Sequence, residues 1–256
     1  MPEEMSNVSE DTVLYAELTP LAFRQRLAAA PIAYLPLGTL EWHGEHLPLG
    51  SDGLQSQGFF THLARRVGGI VLPMLFLGTD QHRVINERAF YGMDIFGFAD
   101  ESPQQLTGSA YWVDETLFKS LLESILYQLA RAGFKIVVAH GHGPSTKCFD
   151  RHSAEWSRKF DLELLICWDA TNESTETGIQ TDHAAANETS LMMALYPTMV
   201  KMERLPAEMS VWPQAIIGKD PRLHASPEIG REIIRRNLAW MENVLRQALL
   251  KTTGQF

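Results

Sequence analysis

The chain has 256 residues, of which 45% are hydrophobic and 21% are charged, as expected for a globular protein with a sizeable core. Its 22 basic and 31 acidic residues give a net charge of −9, which repels nucleic acid and anionic membrane surfaces. No stretch approaches the roughly 18 apolar residues of a membrane span, and the acidic start does not resemble a secretory signal. We therefore expect a cytoplasmic protein with neither nucleic acid nor a membrane as partner.

The cysteine content and the absence of linkers bound the domain organisation. Cys148 and Cys167 are too few for a disulfide framework and lack zinc-finger spacing, so we expect reduced thiols in the core. No repeat and no linker-like tract divides the chain. The sequence therefore predicts one domain over residues 1–256, in which residues 1–12 form a flexible N-terminal segment.

The first two predicted elements are a strand and a long helix. Residues 33–37 (AYLPL) form a short apolar run that ends at Gly38, which is typical of a buried strand opening into a loop. From Asp114 onward, apolar residues recur at helical spacing until Gly133, a residue type that commonly follows the end of a helix. This spacing predicts a helix of about five turns.

The later elements continue the alternation of strand and helix. Residues 134–139 are typical of a strand followed by a glycine-rich loop, and residues 162–168 of a strand followed by the polar segment DATNEST. One helix is predicted from Ala184 and another from Ser226, a natural N-cap. The alternation predicts an α/β fold, a three-layer α/β/α sandwich with a mostly parallel sheet.

A dense group of potential metal ligands follows the first predicted strand, in the stretch LGTLEWHGEHLPLGSD. Glu41 and His43 are two residues apart, so in an extended segment their side chains leave the same face. Glycine and proline let the chain turn and bring Asp52 toward them. Such a mixed nitrogen and oxygen set suits Zn²⁺, Mn²⁺ or Fe²⁺ at a catalytic site. An ordinary polar loop is the alternative for this stretch.

Two later segments carry side chains of the same kind. His142 lies between two glycines after the strand at residues 134–139, and Asp182, His183 and Glu188 lie near a helix start. The alternatives are a loop histidine bound to a carbonyl and a helix with a solvated glutamate. Because ligands bind at the carboxyl ends of strands in open α/β sheets, we expect the His-rich loops to meet there.

Four stretches resemble, in order, the sequence patterns of the creatininase (creatinine amidohydrolase) family. They are LPLGTLEWHGEHLPLGSD, AHGHGPS, DHAAANETSLMMAL and GKDPRLHASPEIG, and they span residues 36–230. The resemblance implies one α/β domain with a metal centre, usually of two ions, that hydrolyses a C–N amide bond in a small cyclic or formylated substrate. It also implies a homo-oligomer, because family members are often ring-shaped assemblies. The positions that match the family's metal ligands are Glu41, His43, Asp52 and His142, with Asp52 as the bridge.

The resemblance also bears on the remaining site residues. His183 matches a histidine that handles protons, and we expect Asp182, which stands where creatininase has a glutamate, or a loop residue to orient it. The creatininase for which the family is named carries a glutamate in the glycine-rich loop where this chain has Pro144. We predict that Glu188 supplies the missing carboxylate as a further ligand.

Several departures from the family patterns leave the substrate and the native metal open. His140 stands where an asparagine is usual, and residues 79–105 are longer than expected between these motifs. This segment is predicted to be either a substrate lid or a surface excursion and oligomer contact. A non-catalytic metal-binding scaffold is the main alternative function. A dinuclear phosphoesterase ranks lower, because Lys147 is the single basic residue close to the ligand motifs.

Overall fold

The computed structural model describes residues 12–97, 102–168 and 177–253. Residues 1–11 of the predicted flexible N-terminal segment and the whole segment DATNEST lie outside these ranges, as do residues 98–101 of the proposed lid. None of the helices in the described ranges combines the length and apolar character that a bilayer crossing requires.

Within the described residues, six strands form two separate sheets. The main sheet is parallel in the order β2-β1-β5-β6, and β3 and β4 form an antiparallel hairpin of their own. The strand predicted at residues 162–168 is shorter than expected, because β6 lies at the sheet edge and pairs with β5 over three residues. The strands are β1 (Ile32–Leu37), β2 (Ile70–Val71), β3 (His82–Ile85), β4 (Arg88–Tyr91), β5 (Ile136–Gly141) and β6 (Glu163–Leu165).

The predicted helices are confirmed with their end signals. The Asp114 side chain accepts a hydrogen bond from Leu117 N (2.9 Å), and Gly133 ends that helix with a φ of 100°. Ser226 Oγ accepts from Ile229 N (3.2 Å) at the start of the last helix. The helices are α1 (Pro20–Ala29), α2 (Ser51–Val67), α3 (Met93–Phe96), α4 (Glu115–Ala132), α5 (Gly143–Phe160), α6 (Ala186–Leu195), α7 (Pro221–His224) and α8 (Pro227–Thr253).

Two hydrophobic clusters lie on opposite faces of the main sheet. Along β1, Ile32 and Tyr34 join the cluster that includes residues of α2, α6 and α8. Ala33 and Leu35 join the cluster that includes residues of α4 and α5. Successive side chains of a strand point to opposite faces, so the buried strands are apolar on both sides. The arrangement is the predicted three-layer α/β/α sandwich.

The strand order creates a crevice where β1 and β5 end. The chain leaves β1 to form β2 on one side and later returns to form β5 on the other, which is a topological switch point. His142 N donates to Leu37 O (3.0 Å), so the loops after both strands begin side by side. Gly141 has a φ of 144°, and a side chain there would collide with the Leu37 carbonyl.

Candidate metal centre

The first group of potential ligands joins the loops after β1 and β5 to the segment before β3. One ligand atom each from Glu41, Asp80 and His142 lies within 4.8 Å of the other two. His142 Nε2 is 3.2 Å from Asp80 Oδ2 and 3.6 Å from Glu41 Oε2. All three side chains are buried, so their charges need a partner.

A second group combines the loop after β1 with the start of α6. Ligand atoms of His43, His183 and Glu188 lie within 4.8 Å of one another. His43 Nε2 is 3.5 Å from Glu188 Oε2, and the rings of the two histidines are 4.3 Å apart between centroids. The group thus offers two imidazoles and one carboxylate.

Asp52, in the first turn of α2, interacts with the histidines of both groups. Its Oδ1 lies 3.2 Å from His43 Nε2, whereas its buried Oδ2 has no hydrogen-bond partner among the described residues. Burial favours the neutral acid, but the charge and hydrogen bond of His43, together with the charge of His142, lower the pKa of Asp52 below its usual range. A buried, charged and unpartnered carboxylate oxygen is suited to a bound cation.

Two of the predicted ligand histidines are oriented by their second ring nitrogen. His43 Nδ1 donates to the Glu41 carbonyl (3.1 Å), and His142 Nδ1 contacts Ser145 Oγ (3.0 Å). Each Nε2 atom therefore faces carboxylate oxygens. This is the arrangement of metal-binding histidines, whose other N–H group is usually held by a carbonyl or a polar side chain.

His183 is held in one tautomer by the loop after β1. Its Nε2 lies 2.7 Å from the carbonyl oxygen of Trp42, which can only accept, so Nε2 carries the proton. Burial and the neighbouring His43 lower the pKa of His183 to about 3, and the ring is neutral at pH 7. The Nδ1 lone pair remains, and it can take up a proton or bind a metal.

Asp182 holds the start of α6. Its carboxylate accepts hydrogen bonds from the amides of Asn187 (2.7 Å) and Glu188 (3.1 Å), which satisfies two amides of the first turn. Glu188 Oε2 in turn accepts from Ala184 N (2.8 Å). These contacts fix Glu188 toward His43, and the orienting action of Asp182 on His183 stays a prediction.

Burial and crowding perturb the carboxylates and imidazoles of the centre. Burial raises the pKa of Glu41 to about 7, and it raises that of Glu188 above the usual range. Burial alone would lower the pKa of His43, but the carboxylates of Asp52, Glu188 and Glu41 raise it to about 10. Without a cation, the protein therefore holds protons at this centre.

The structure brings together the five predicted ligands and places beside them Asp80, a residue that sequence reasoning did not single out. Asp80 has no glycine-histidine pattern around it and lies at the start of the segment interpreted as a lid. A signal was present nonetheless, because the apolar run before Gly78 resembles a strand ending in a polar loop. Leu75 indeed runs parallel to the end of β1, with its amide donating to Pro36 O (3.0 Å).

A cavity of about 770 Å³ lies beside the centre. His183 connects it to the second ligand group, because this residue belongs both to the cavity wall and to that group. Its wall combines apolar side chains such as Ile217 and Ile229 with the basic residues Lys219 and His224. A small molecule therefore has room to bind next to His183.

Comparisons with known proteins agree with the fold and identify the family. The family model of creatinine amidohydrolase matches residues 16–244. The creatinine amidohydrolase of Pseudomonas putida is 26% identical over 213 residues, which are 76% of this chain and 76% of that protein. A crystal structure of creatinine amidohydrolase (creatininase) is 23% identical with a TM-score of 0.70 and covers 93% of this chain and 98% of that chain.

Other solved creatininases include a manganese form, a zinc–zinc mutant form and a mutant complexed with creatine, each 22% identical with a TM-score of 0.69 or 0.70. Each covers 92% of this chain and 98% of its own length. The structural likeness confirms the predicted α/β sandwich, and the family model spans most of the sequence. The chain belongs to the creatininase family of amidohydrolases.

Proposed function

We propose that the chain uses two divalent metal ions to hydrolyse a C–N amide bond in a small cyclic amide or formamide. One observation carries the proposal: two buried ligand groups flank Asp52, whose Oδ2 atom lacks a partner among the described residues. The manganese and zinc–zinc forms of related creatininases support Mn²⁺ or Zn²⁺, and the creatine complex supports a small-molecule ligand.

The donor atoms fit two divalent ions. Four carboxylates lie within or beside the two groups, enough to balance two dications, and His43 and His142 each direct one nitrogen toward them. Thiolates, which mark many structural zinc sites, are absent from both groups, and the set is typical of catalytic sites. Glu41, His43, Asp52, His142 and Glu188 would hold the ions, with Asp52 between them.

When bound, divalent ions lower the pKa of water to about 7 and polarise the amide carbonyl. The protein residues supply orientation and proton transfer. His183 Nδ1 is free to take a proton and then to donate it to the leaving nitrogen, which is a poor leaving group unless protonated. The Trp42 carbonyl holds the ring so that Nδ1 keeps this role. The burial of Glu41 and Glu188 keeps bulk water from competing for their oxygens.

We also propose that the protein forms homo-oligomers in a reducing compartment. Both cysteines are free and buried, which suits the cytoplasm. Six large apolar side chains between residues 209 and 229 are 43 to 65% exposed, a composition that favours a subunit contact. These side chains belong to Met209, Val211, Trp212, Ile217, Leu223 and Ile229. Sedimentation of the purified protein tests whether it forms homo-oligomers, and a monomer at high concentration would contradict the proposal.

The decisive experiment reconstitutes the protein with Mn²⁺ or Zn²⁺ and assays cyclic amides, formamides and short peptides. We expect turnover of at least one small amide, and its loss in Asp52→Asn. Asp94→Asn is a matched control, because Asp94 is a buried carboxylate bound to the amides of Tyr91 and Leu106. Two bound ions without any turnover would favour the non-catalytic scaffold.

A further inference from the structure

We propose that Asp80 is a ligand of the metal centre, and that it anchors residues 79–97 of the segment interpreted as a lid to the bound ion. The inference rests on the proposed function and deepens it. It changes the interpretation of that segment, since a lid or surface excursion would become part of the centre itself.

The position of the Asp80 carboxylate is the first support. Oδ2 lies 3.2 Å from His142 Nε2, and the side chain is 8% exposed although it belongs to a loop. Oδ1 accepts a hydrogen bond from Gln81 N (2.6 Å), which fixes the carboxylate plane. Oδ2 is therefore presented to the same space as the ligand atoms of Glu41 and His142.

The loop after β5 supplies the second support. His142 is followed at once by Gly143 and Pro144, which have no side-chain oxygen, and by Ser145, whose hydroxyl contacts His142 Nδ1. This loop thus offers a single ligand, and its half of the centre needs another carboxylate. Glu188 contacts His43 in the other half. Asp80 is the carboxylate that contacts His142 directly.

The backbone that follows the second strand of the β3–β4 hairpin gives the third support. Gly92 has a φ of 48°, and a side chain there would collide with Glu41 Oε1 and lie 2.7 Å from Asp80 Oδ2. Met93 N donates to Glu41 Oε1 (3.0 Å), and Gly92 N donates to Gln81 O (3.1 Å). Both ends of the hairpin therefore converge on the ligand group of His142.

This arrangement makes the two halves chemically different. The half with Glu41, Asp80 and His142 is rich in carboxylates, whereas the half with His43, His183 and Glu188 offers two imidazoles. Carboxylate oxygens favour harder ions such as Mn²⁺, and imidazoles favour Zn²⁺. Loss of Asp80 is expected to weaken binding in the carboxylate-rich half specifically.

The test measures metal binding with Mn²⁺ or Zn²⁺ alone, by elemental analysis after dialysis and by calorimetric titration. We expect two ions per chain in the wild type. In Asp80→Asn we expect either one ion per chain or an affinity for the second ion that is weaker by roughly 10- to 100-fold or more. Asp80→Ser should show the same loss. Asp94→Asn should bind two ions, and circular dichroism would verify that each variant is folded.

Hydrogen exchange gives a readout independent of stoichiometry. Adding metal should slow exchange of the amides at residues 81–93 in the wild type and in Asp94→Asn, but not in Asp80→Asn. Equal affinities and equal protection in Asp80→Asn and the wild type would overturn the role of Asp80 alone. A wild-type protein that binds no ion would instead contradict the proposed function.

Discussion

At the scale of single residues, Asp52 is the side chain that interacts with the histidines of both ligand groups. It is buried at the start of α2, one oxygen faces His43 and the other has no partner among the described residues. Glu41 and His43 each belong to one group. Removing Asp52 should therefore affect both ions, whereas removing Glu41 or His43 should affect mainly one.

We predict that Asp52→Ala abolishes binding of both ions, while Glu41→Ala and His43→Ala leave partial occupancy. The physical reason is that a bridging carboxylate offsets the repulsion between two nearby dications. Elemental analysis of the purified variants measures the effect. Full metal content in Asp52→Ala would show that Asp52 is not the bridge.

His183 has two possible roles that one substitution separates. If it transfers protons, His183→Ala should keep both ions and lose roughly 10²–10⁴ in turnover. Because its ring also lies in the ligand group of His43 and Glu188, loss of one ion would identify it as a ligand instead. Metal content and rate must be measured on the same preparation. An unchanged rate would contradict both roles.

At the scale of elements, α6 positions Glu188 through its first turn. Asp182 accepts from two amides of this turn, and Glu188 contacts the amide of Ala184, so the glutamate is fixed before any ion binds. This construction explains how a residue that is far from His43 in the sequence can act with it. It also allows a test in which Glu188 is compared with Glu45, a glutamate on the loop after β1.

We predict that Glu188→Gln loses one ion whereas Glu45→Gln keeps both. Glu45 lies close in sequence to the ligands of the first loop, but it is exposed, while Glu188 is buried beside His43. Metal stoichiometry of the two variants decides between them. If Glu188→Gln still bound two ions and Glu45→Gln bound one, the site would be built within the first loop.

The elements were predictable where local chemistry determines them. The helical spacing of α4 and its end at Gly133 are local, and both were identified from sequence. The short strand β6 was overestimated, because its length is set by pairing with β5 rather than by its own residues. Asp80 was missed for the same reason, since only the tertiary approach of Leu75 to β1 brings it to the centre.

At the scale of the whole molecule, the centre joins segments from Glu41 to Glu188, so protonation and metal binding should affect global stability. In the metal-free protein, the pKa of His43 is raised to about 10, and that of His142 is also raised. The folded state therefore binds more protons than the unfolded state above pH 6.5. Stability must fall as pH rises from 6.5 toward 10.

We predict that chelated protein is less stable at pH 9 than at pH 6.5, by on the order of a few kcal/mol. Three histidines have lowered pKa values, His46 and His140 at about 4 and His183 at about 3. Their protonation changes below pH 6.5, so they do not contribute to the difference between pH 6.5 and pH 9. Bound ions keep the ligand histidines deprotonated and stabilise the folded state, so metal-loaded protein should lose this dependence. Thermal unfolding measures both, and equal midpoints for chelated protein at the two pH values would contradict the prediction.

The pairing of β1 with β5 has a consequence for the newly synthesised chain. Ile32 pairs with Ile136, so the ribosome synthesises roughly a hundred residues after β1 before β5 is available to pair with it. At ordinary translation rates this interval is on the order of 5 to 20 s. During this interval the edge of β1 that will pair with β5 is open, whereas β2 and Leu75 can pair with its other edge. Such an edge is the kind of surface that chaperones bind and that aggregates when they are scarce.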